Sequence, residues 1–389
     1  MNIVMMSPHF PPNYDLFSVH LRNLGVTVLG IGDTPREELT PRLRDALADY
    51  YQVDDMHLDG QIHDAVRYFF DRYEQIDRFE SHNDHWLDTD ARIRSEYDIP
   101  GPKTHEILWM RRKSLMKEGF AEAGVRTARW RIATTLDDAL AWVKEVGLPV
   151  VIKPDSGVGA TNTFRIGSEK DLEDFFRNRP YGDYIMEEFI TGTIYTFDGL
   201  TDANGRILFC SSLRYNTGMM EQVNDQLDVL FHTLREMPSD LEEAGRKVVR
   251  VFNIRERFFH IEFFRTHDKN DLVALEINAR PPGGPILDIY NHASEIDLYL
   301  KWAKTVTGNP DEPGEIRKPY HCAYMGRREN RSHLHTHDEI MKILGHMVIH
   351  HEPVIKVFSP AMADYYYIMR SPDLEEIRKA ADFVLAPGG

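Results

Sequence analysis

"DLVALEINARPPGG" occupies residues 271–284. An apolar run begins at Leu272, but Glu276, Asn278 and Arg280 interrupt it at every second position. Side chains on a strand alternate between its faces. An acid, an amide and a guanidinium therefore line one side, with Leu275 and Ile277 on the other. Just upstream, "RFFHIEFF" (257–264) repeats the device, with His260 and Glu262 sharing a face between bulky apolar residues. The turn-like "HDKND" (267–271) joins the two runs as a hairpin, which brings Glu262 towards Glu276. Two carboxylates and an amide oxygen make a hard, all-oxygen site, which suits Mg²⁺ completed by water and substrate phosphates. The alternative is an exposed sheet face on which both acids pair with arginines.

Moving outward, "PVVIKPDSGVGATNTFRI" (149–166) ends a buried strand on Lys153. A lysine there is costly unless it meets an anion, the alternative being an ordinary loop with Lys153 reaching out to solvent. Ser156, Gly157 and Gly159 follow, and a small-residue turn lets backbone N–H groups approach phosphates. The spacing is not that of a G-x-x-x-x-G-K-[ST] loop. "DYIMEEFITG" (183–192) ends a strand on two acids and an apolar pair, a backbone stretch able to present amides and carbonyls to an adenine edge, although on its own an exposed acidic strand end is the plainer reading.

The bulk numbers fit these readings. A chain of 389 residues exceeds what a single core usually holds, so two or three domains are expected. Composition is globular, with 42% hydrophobic and 11% aromatic residues. The formal net charge of −16 argues against a general nucleic-acid binder. Two cysteines far apart, Cys210 and Cys322, point to a reducing compartment. The opening "MNIVMMSPHF" has no basic segment followed by a long apolar one, and no apolar stretch reaches membrane-spanning length. A soluble, cytoplasmic protein without nucleic-acid or membrane partners is the expectation.

The N-terminal segment reads as strand–helix alternation. Residues 2–6, 26–31 and a run inside 76–87 are expected strands, and 36–49 and 60–75 expected helices. "IPGPKT" (99–104) marks a first boundary and "VTGNPDEPGE" (306–315) a second. Between them, one helix is expected from His105 to Gly124 and another over 134–147, with Thr135 and Asp138 spaced as a capping box. Beyond 315 come a strand, a helix from about 337, further strands and a last helix after Ser371-Pro372.

Taken in order, a lysine on a helix, "VVIKP" with its small-residue loop, "EEFI.G", "HIEFF" and "LEINARPPGG" resemble the ATP-grasp superfamily over about residues 105–310. Residues 1–104 resemble the Rossmann-like domain that precedes it. The resemblance implies an α/β and α+β architecture. A Rossmann-like domain (1–104) would precede an ATP-grasp fold of two α+β lobes (105–312). A small C-terminal α+β segment (313–389) would complete the substrate site. Position by position it implies that Lys113 and Lys153 reach the phosphates and that Ser156, Gly157, Val158, Gly159 and Ala160 close over them. Glu187, Glu188, Phe189 and Ile190 would hold adenine. Glu262, Glu276 and Asn278 would bind two Mg²⁺ ions, with Mn²⁺ as a substitute. Arg280 would stabilise the transferring phosphoryl group, with Lys153 as the second catalytic cation. One departure is Ile194, where many relatives carry an acid for the ribose hydroxyls.

The activity implied is ATP-dependent ligation of a small carboxylate to an amine through an acyl phosphate. An amino-acid or dipeptide ligase, acting as a homodimer by family habit, is favoured. The alternatives are carbamoyl-phosphate-synthase-like phosphorylation of a carboxylate or carbamate, and a non-catalytic ATP sensor. Two other clusters offer less. His333, His335 and His337 alternate, but they precede Thr336 and Glu339 at capping-box spacing. Arg327 and Arg328 end a strand, and surface arginines are the plainer reading than a carboxylate fork. His82, Asn83, Asp84 and His85 are candidates to face substrate from the first domain.

Overall fold

The computed structural model describes residues 1–157, 162–216, 218, 225–312, 314 and 316–388. Three sheets are formed among the described residues. The first is parallel, in the order β3 (Asp49–Gln52), β2 (Thr27–Gly32), β1 (Asn2–Met6), β4 (Arg78–Glu80). The central strands β1 and β2 are apolar on both faces because each face is covered. Val4, Met6, Leu29 and Ile31 pack with Ile62, Val66 and Phe69 of the helix Asp59–Tyr73. Ile3, Met5 and Val28 pack with Phe17 and Leu21 of the helix Asp15–Asn23.

The helix expected over 36–49 divides into a 3-10 turn, Arg36–Glu38, and a short helix, Pro41–Ala46. Pro41 and the Thr40 cap delay its start, and Leu47 is already extended. The aromatic pair Tyr50 and Tyr51 then forms β3, a strand not expected from the sequence that overlaps the expected helix only at Asp49. The helix expected from 105 to 124 is likewise two, Thr104–Leu108 and Lys113–Glu122. Arg112 between them is extended, and a distant residue, Asp155, caps the second helix through Ser114 N (2.7 Å) and Ser114 Oγ (2.9 Å). A tertiary cap of this kind leaves no local sequence signal.

The second sheet is antiparallel, in the order β5 (Trp130–Ile132), β8 (Tyr184–Glu188), β6 (Val150–Pro154), β7 (Phe164–Ile166). The helices Leu136–Val146 and Glu169–Arg177 bury Trp142, Val143, Leu172 and Phe175 with it. Thr135 caps the first of these helices by accepting from Asp138 N.

The third sheet has nine strands among the described residues. It contains β9 (Gly192–Thr201), β10 (Ile207–Ser211), β11 (Leu213–Tyr215) and β12 (Val229–Thr233). It continues with β13 (Phe258–Thr266), β14 (Leu272–Asn278), β15 (His321–Arg327), β16 (Val348–Pro353) and β17 (Tyr365–Ser371). The expected hairpin β13–β14 forms, and a second, β9–β10, turns at "DANG" (202–205). One face packs under the helices Lys113–Glu122 and Ser239–Val251 through Phe197, Phe259, Ile261, Phe263 and Ile277. The strands β15–β17, from the segment after residue 312, extend this same sheet through β12–β15 pairing.

A buried charge network joins the first sheet to the third. Glu80 at the end of β4 accepts from Arg94 (2.8 Å) and from Arg257 (2.7 Å). Among the described residues no helix is long and apolar enough to cross a membrane.

Candidate active site

The alternation along β13 and β14 sorts the hairpin as its sequence requires. Ile261 and Ile277 enter the core, and Glu262 stands directly opposite Glu276 in the register. His260 stands opposite Asn278. Asn278 Nδ2 donates to Glu276 Oε1 (3.3 Å), which leaves the amide oxygen as a ligand atom. Lys113 Nζ lies 3.8 Å from Glu276 Oε2 and donates to Gly157 O at 3.1 Å. One lysine thereby links the acidic face to the loop after β6.

Glu262 is held from behind. His260 bridges Asp198 (Nδ1 to Oδ1, 2.6 Å) and Glu262 (Nε2 to Oε1, 3.3 Å). Asp198 also accepts from Thr196 Oγ1 (2.6 Å) and from the Tyr290 hydroxyl. Burial alone would lower the His260 pKa, but the Asp198 charge outweighs it and lifts the imidazole to about 10. Burial pushes the Glu262 carboxyl up, and the hydrogen bond from cationic His260 brings it below its ordinary value. Glu262 is therefore ionised at neutral pH. Two carboxylates and an amide oxygen on one face fit a hard divalent cation. Among the described residues no group of three or more Asp, Glu, His or Cys could hold a metal, so this set depends on the amide and on outside ligands.

Lys153, Glu187 and Lys117 form a second unit. Glu187 Oε2 lies 2.9 Å from Lys153 Nζ and Glu187 Oε1 3.0 Å from Lys117 Nζ. All three are buried. Burial raises the Glu187 carboxyl, and the two ammonium groups more than reverse this, to about 2. Lys117 sits one turn after Lys113, at the i,i+4 spacing that puts both on one helix face. That spacing was available in the sequence and went unread. The Glu187 side chain turns towards lysines, and Glu188 pairs with Arg129 at 2.7 Å. Phe189 lies under the Arg165 guanidinium, 4.9 Å from its centroid, and Ile190 is half-buried. Ser156 and Gly157 are exposed after β6, while Val158, Gly159 and Ala160 lie outside the described residues. Ile194 is buried in the core.

Arg280 meets the first domain. Its Nη2 lies 3.2 Å from Asp84 Oδ2, and Arg111 Nη1 lies 2.9 Å from Asp84 Oδ1. The buried Arg280 Nε finds no hydrogen-bond partner among the described residues. Of its neighbours in the loop, His82 is buried against Phe17 and Trp302, so it packs rather than facing solvent. Asn83 accepts from His85 N (3.0 Å).

The other two clusters are structural. His333 pairs with Asp228 (3.0 Å), His335 stacks on Phe383, and His337 bonds the Tyr367 hydroxyl (2.9 Å). The Thr336–Glu339 capping box is present. Arg328 is buried, not a surface arginine, and donates to Ser359 O and Pro360 O. Arg327 donates to His335 O.

Residues 146–288 match the family model described as "ATP-grasp domain". The chain is 27% identical over 226 residues to the L-arginine-specific L-amino acid ligase of Bacillus subtilis, covering 54% of this chain and 53% of that protein. It is 26% identical over 187 residues to the carbamoyl phosphate synthase large chain of Thermotoga petrophila, covering 46% of this chain and 17% of that one. It thus spans about half the length of the first relative and a smaller part of the second. The fold is that of the L-amino acid ligase from Bacillus licheniformis, with a TM-score of 0.75 at 16% identity over 98% of this chain and 96% of that one.

Proposed function

We propose that this chain, which carries an ATP-grasp domain, joins a small carboxylate to an amine at the expense of ATP. A substrate carboxylate oxygen attacks the γ-phosphorus, the bond to ADP breaks, and an acyl phosphate forms. The amine nitrogen then attacks the acyl carbon, the C–O bond to phosphate breaks, and the nitrogen loses a proton. Mg²⁺, as two ions, would neutralise phosphate charge when bound. Glu262, Glu276 and Asn278 would hold it, while Lys113 and Lys153 would orient the phosphates. Arg280 meets the charge that develops on the transferring group. Glu187 to Ile190 border the nucleotide, and residues 156–160 cover the phosphates. Residues 1–104 and 313–389 enclose the substrate side, in a cytoplasmic protein.

The observation that carries this reading is Glu262 facing Glu276 across β13–β14, with Lys113 3.8 Å from Glu276. The test is phosphate release from ATP and Mg²⁺ across pooled amino acids and small carboxylic acids, with Glu276→Ala beside it. Stimulation by one pool, with ADP as product and loss in the variant, is expected. AMP and pyrophosphate as products would refute acyl-phosphate chemistry. ATP binding without stimulation by any pool would favour a sensor.

A further inference from the structure

A cavity of about 560 Å³ lies where three parts of the chain meet: the loop after β1, the Gly284–Asp288 stretch, and β16 with the segment up to Met362. It adjoins the proposed reaction centre through the chain itself, since Gly284 follows Arg280 by four residues. The Tyr14 hydroxyl donates to Pro282 O (3.4 Å) and ties the loop to the same turn. Most of the wall is apolar, including Leu16, Ile349, Val354, Phe358, Met362 and Ile368. Such a volume and lining accept an apolar body much larger than a methyl group.

The charged groups are lopsided. Glu352 and Asp288 contribute carboxylates. Glu352 accepts from the Tyr366 hydroxyl (2.7 Å) and lies 3.3 Å from His350. Asp288 accepts from Asn13 and from the Tyr299 hydroxyl (both 3.0 Å), and burial raises its pKa, a cost that a nearby ammonium relieves. The lining arginine, Arg42, is already paired with Asp15 at 2.7 Å. His292 is held by burial below its ordinary pKa, so it adds no positive charge at neutral pH. A carboxylate ligand would meet acids here, whereas the lysines and Arg280 stand at the phosphate face. We propose that this cavity is the acceptor pocket and that the amine it takes is a primary amine bearing a bulky apolar substituent. The assignment rests on the ligase reading above.

The test is calorimetric binding of three probes, with and without Mg²⁺-ADP: 2-phenylethylamine, ethylamine and 3-phenylpropanoate. The first is expected to bind, and the others at least about tenfold more weakly, one lacking the apolar body and the other the positive charge. Val354→Trp, which fills the cavity, is expected to weaken 2-phenylethylamine at least about tenfold and to leave ADP binding unchanged. Glu352→Gln should narrow the preference for amine over carboxylate. Equal binding of 3-phenylpropanoate overturns the amine assignment, and an unaffected Val354→Trp overturns the location. No binding of 2-phenylethylamine in either condition overturns both. Nothing turns over in this assay, so a failed ligase reading appears as absent phosphate release while the pocket still binds amine.

Discussion

Polar side chains recur at every second residue along β14, and the histidines of 333–337 do the same, but the two stretches end differently. Glu276 and Asn278 lie within a ladder whose partner strand supplies Glu262 and His260 on the same face. His333, His335 and His337 precede a helix, and each takes a separate partner: Asp228, Phe383 and Tyr367. The lesson concerns register. Alternation concentrates chemistry when a paired strand repeats it opposite, and it disperses when the backbone turns into a helix.

The contrast is broken most directly at its centre. Glu276→Ala is expected to reduce substrate-stimulated phosphate release by about a thousandfold or more, since it removes a proposed metal ligand and the anionic partner of Lys113. The variant should still fold cooperatively, because Glu276 is only half-buried and Lys113 keeps its hydrogen bond to Gly157 O. Retained activity would show that convergence on this face has no catalytic meaning.

Glu187 gives the next largest effect, on stability. Glu187→Gln leaves Lys117 and Lys153 buried without a counter-charge, at a cost of about 3–5 kcal/mol in chemical denaturation. The same pairing sets an acid limit. The folded Glu187 pKa of about 2 lies below its ordinary 4.5, so the contribution is fully present above pH 4.5. It is lost as pH falls from 4.5 towards 2. Glu80, held at about 2 against burial by Arg257 and Arg94, adds to the same window. Denaturation midpoints that stay flat between pH 5 and 3 would contradict both assignments.

A smaller effect is expected behind the proposed Mg²⁺ ligands, at His260. His260→Asn removes the link between Asp198 and Glu262. The Mg²⁺ concentration that half-saturates ADP binding should rise by about ten- to a hundredfold, with metal-free ADP binding unchanged. A parallel loss of both would mark His260 as a packing residue only.

These cases also show what a single chain discloses. The hairpin, its facing acids and the two-sided first sheet were legible because alternation and turn residues are local signals. Asp155 capping Ser114, Asp84 bridging Arg111 and Arg280, and Glu80 between two arginines were not. Each joins residues distant in sequence, and only the assembled fold brings them together. Lys117 lies between these extremes: helix spacing placed it beside Lys113, but its pairing with Glu187 needed the second sheet. Helix boundaries failed at Arg112, where a tertiary partner outweighed local propensity, and at Leu47, which is already extended ahead of β3.

The smallest effect is expected at the histidines, and it completes the contrast. His333→Ala loses one hydrogen bond to Asp228, about 1 kcal/mol, because Arg331 also lies 3.4 Å from that carboxylate and keeps it company. The three imidazoles point to different partners, so zinc has no set of ligands to gather among them. Zn²⁺ at micromolar concentration should leave the melting temperature unmoved in the parent and in His333→Ala alike. A Zn²⁺-dependent rise in the parent, lost in the variant, would show that the histidines regroup around a metal, and the distinction drawn between the two alternating stretches would fail.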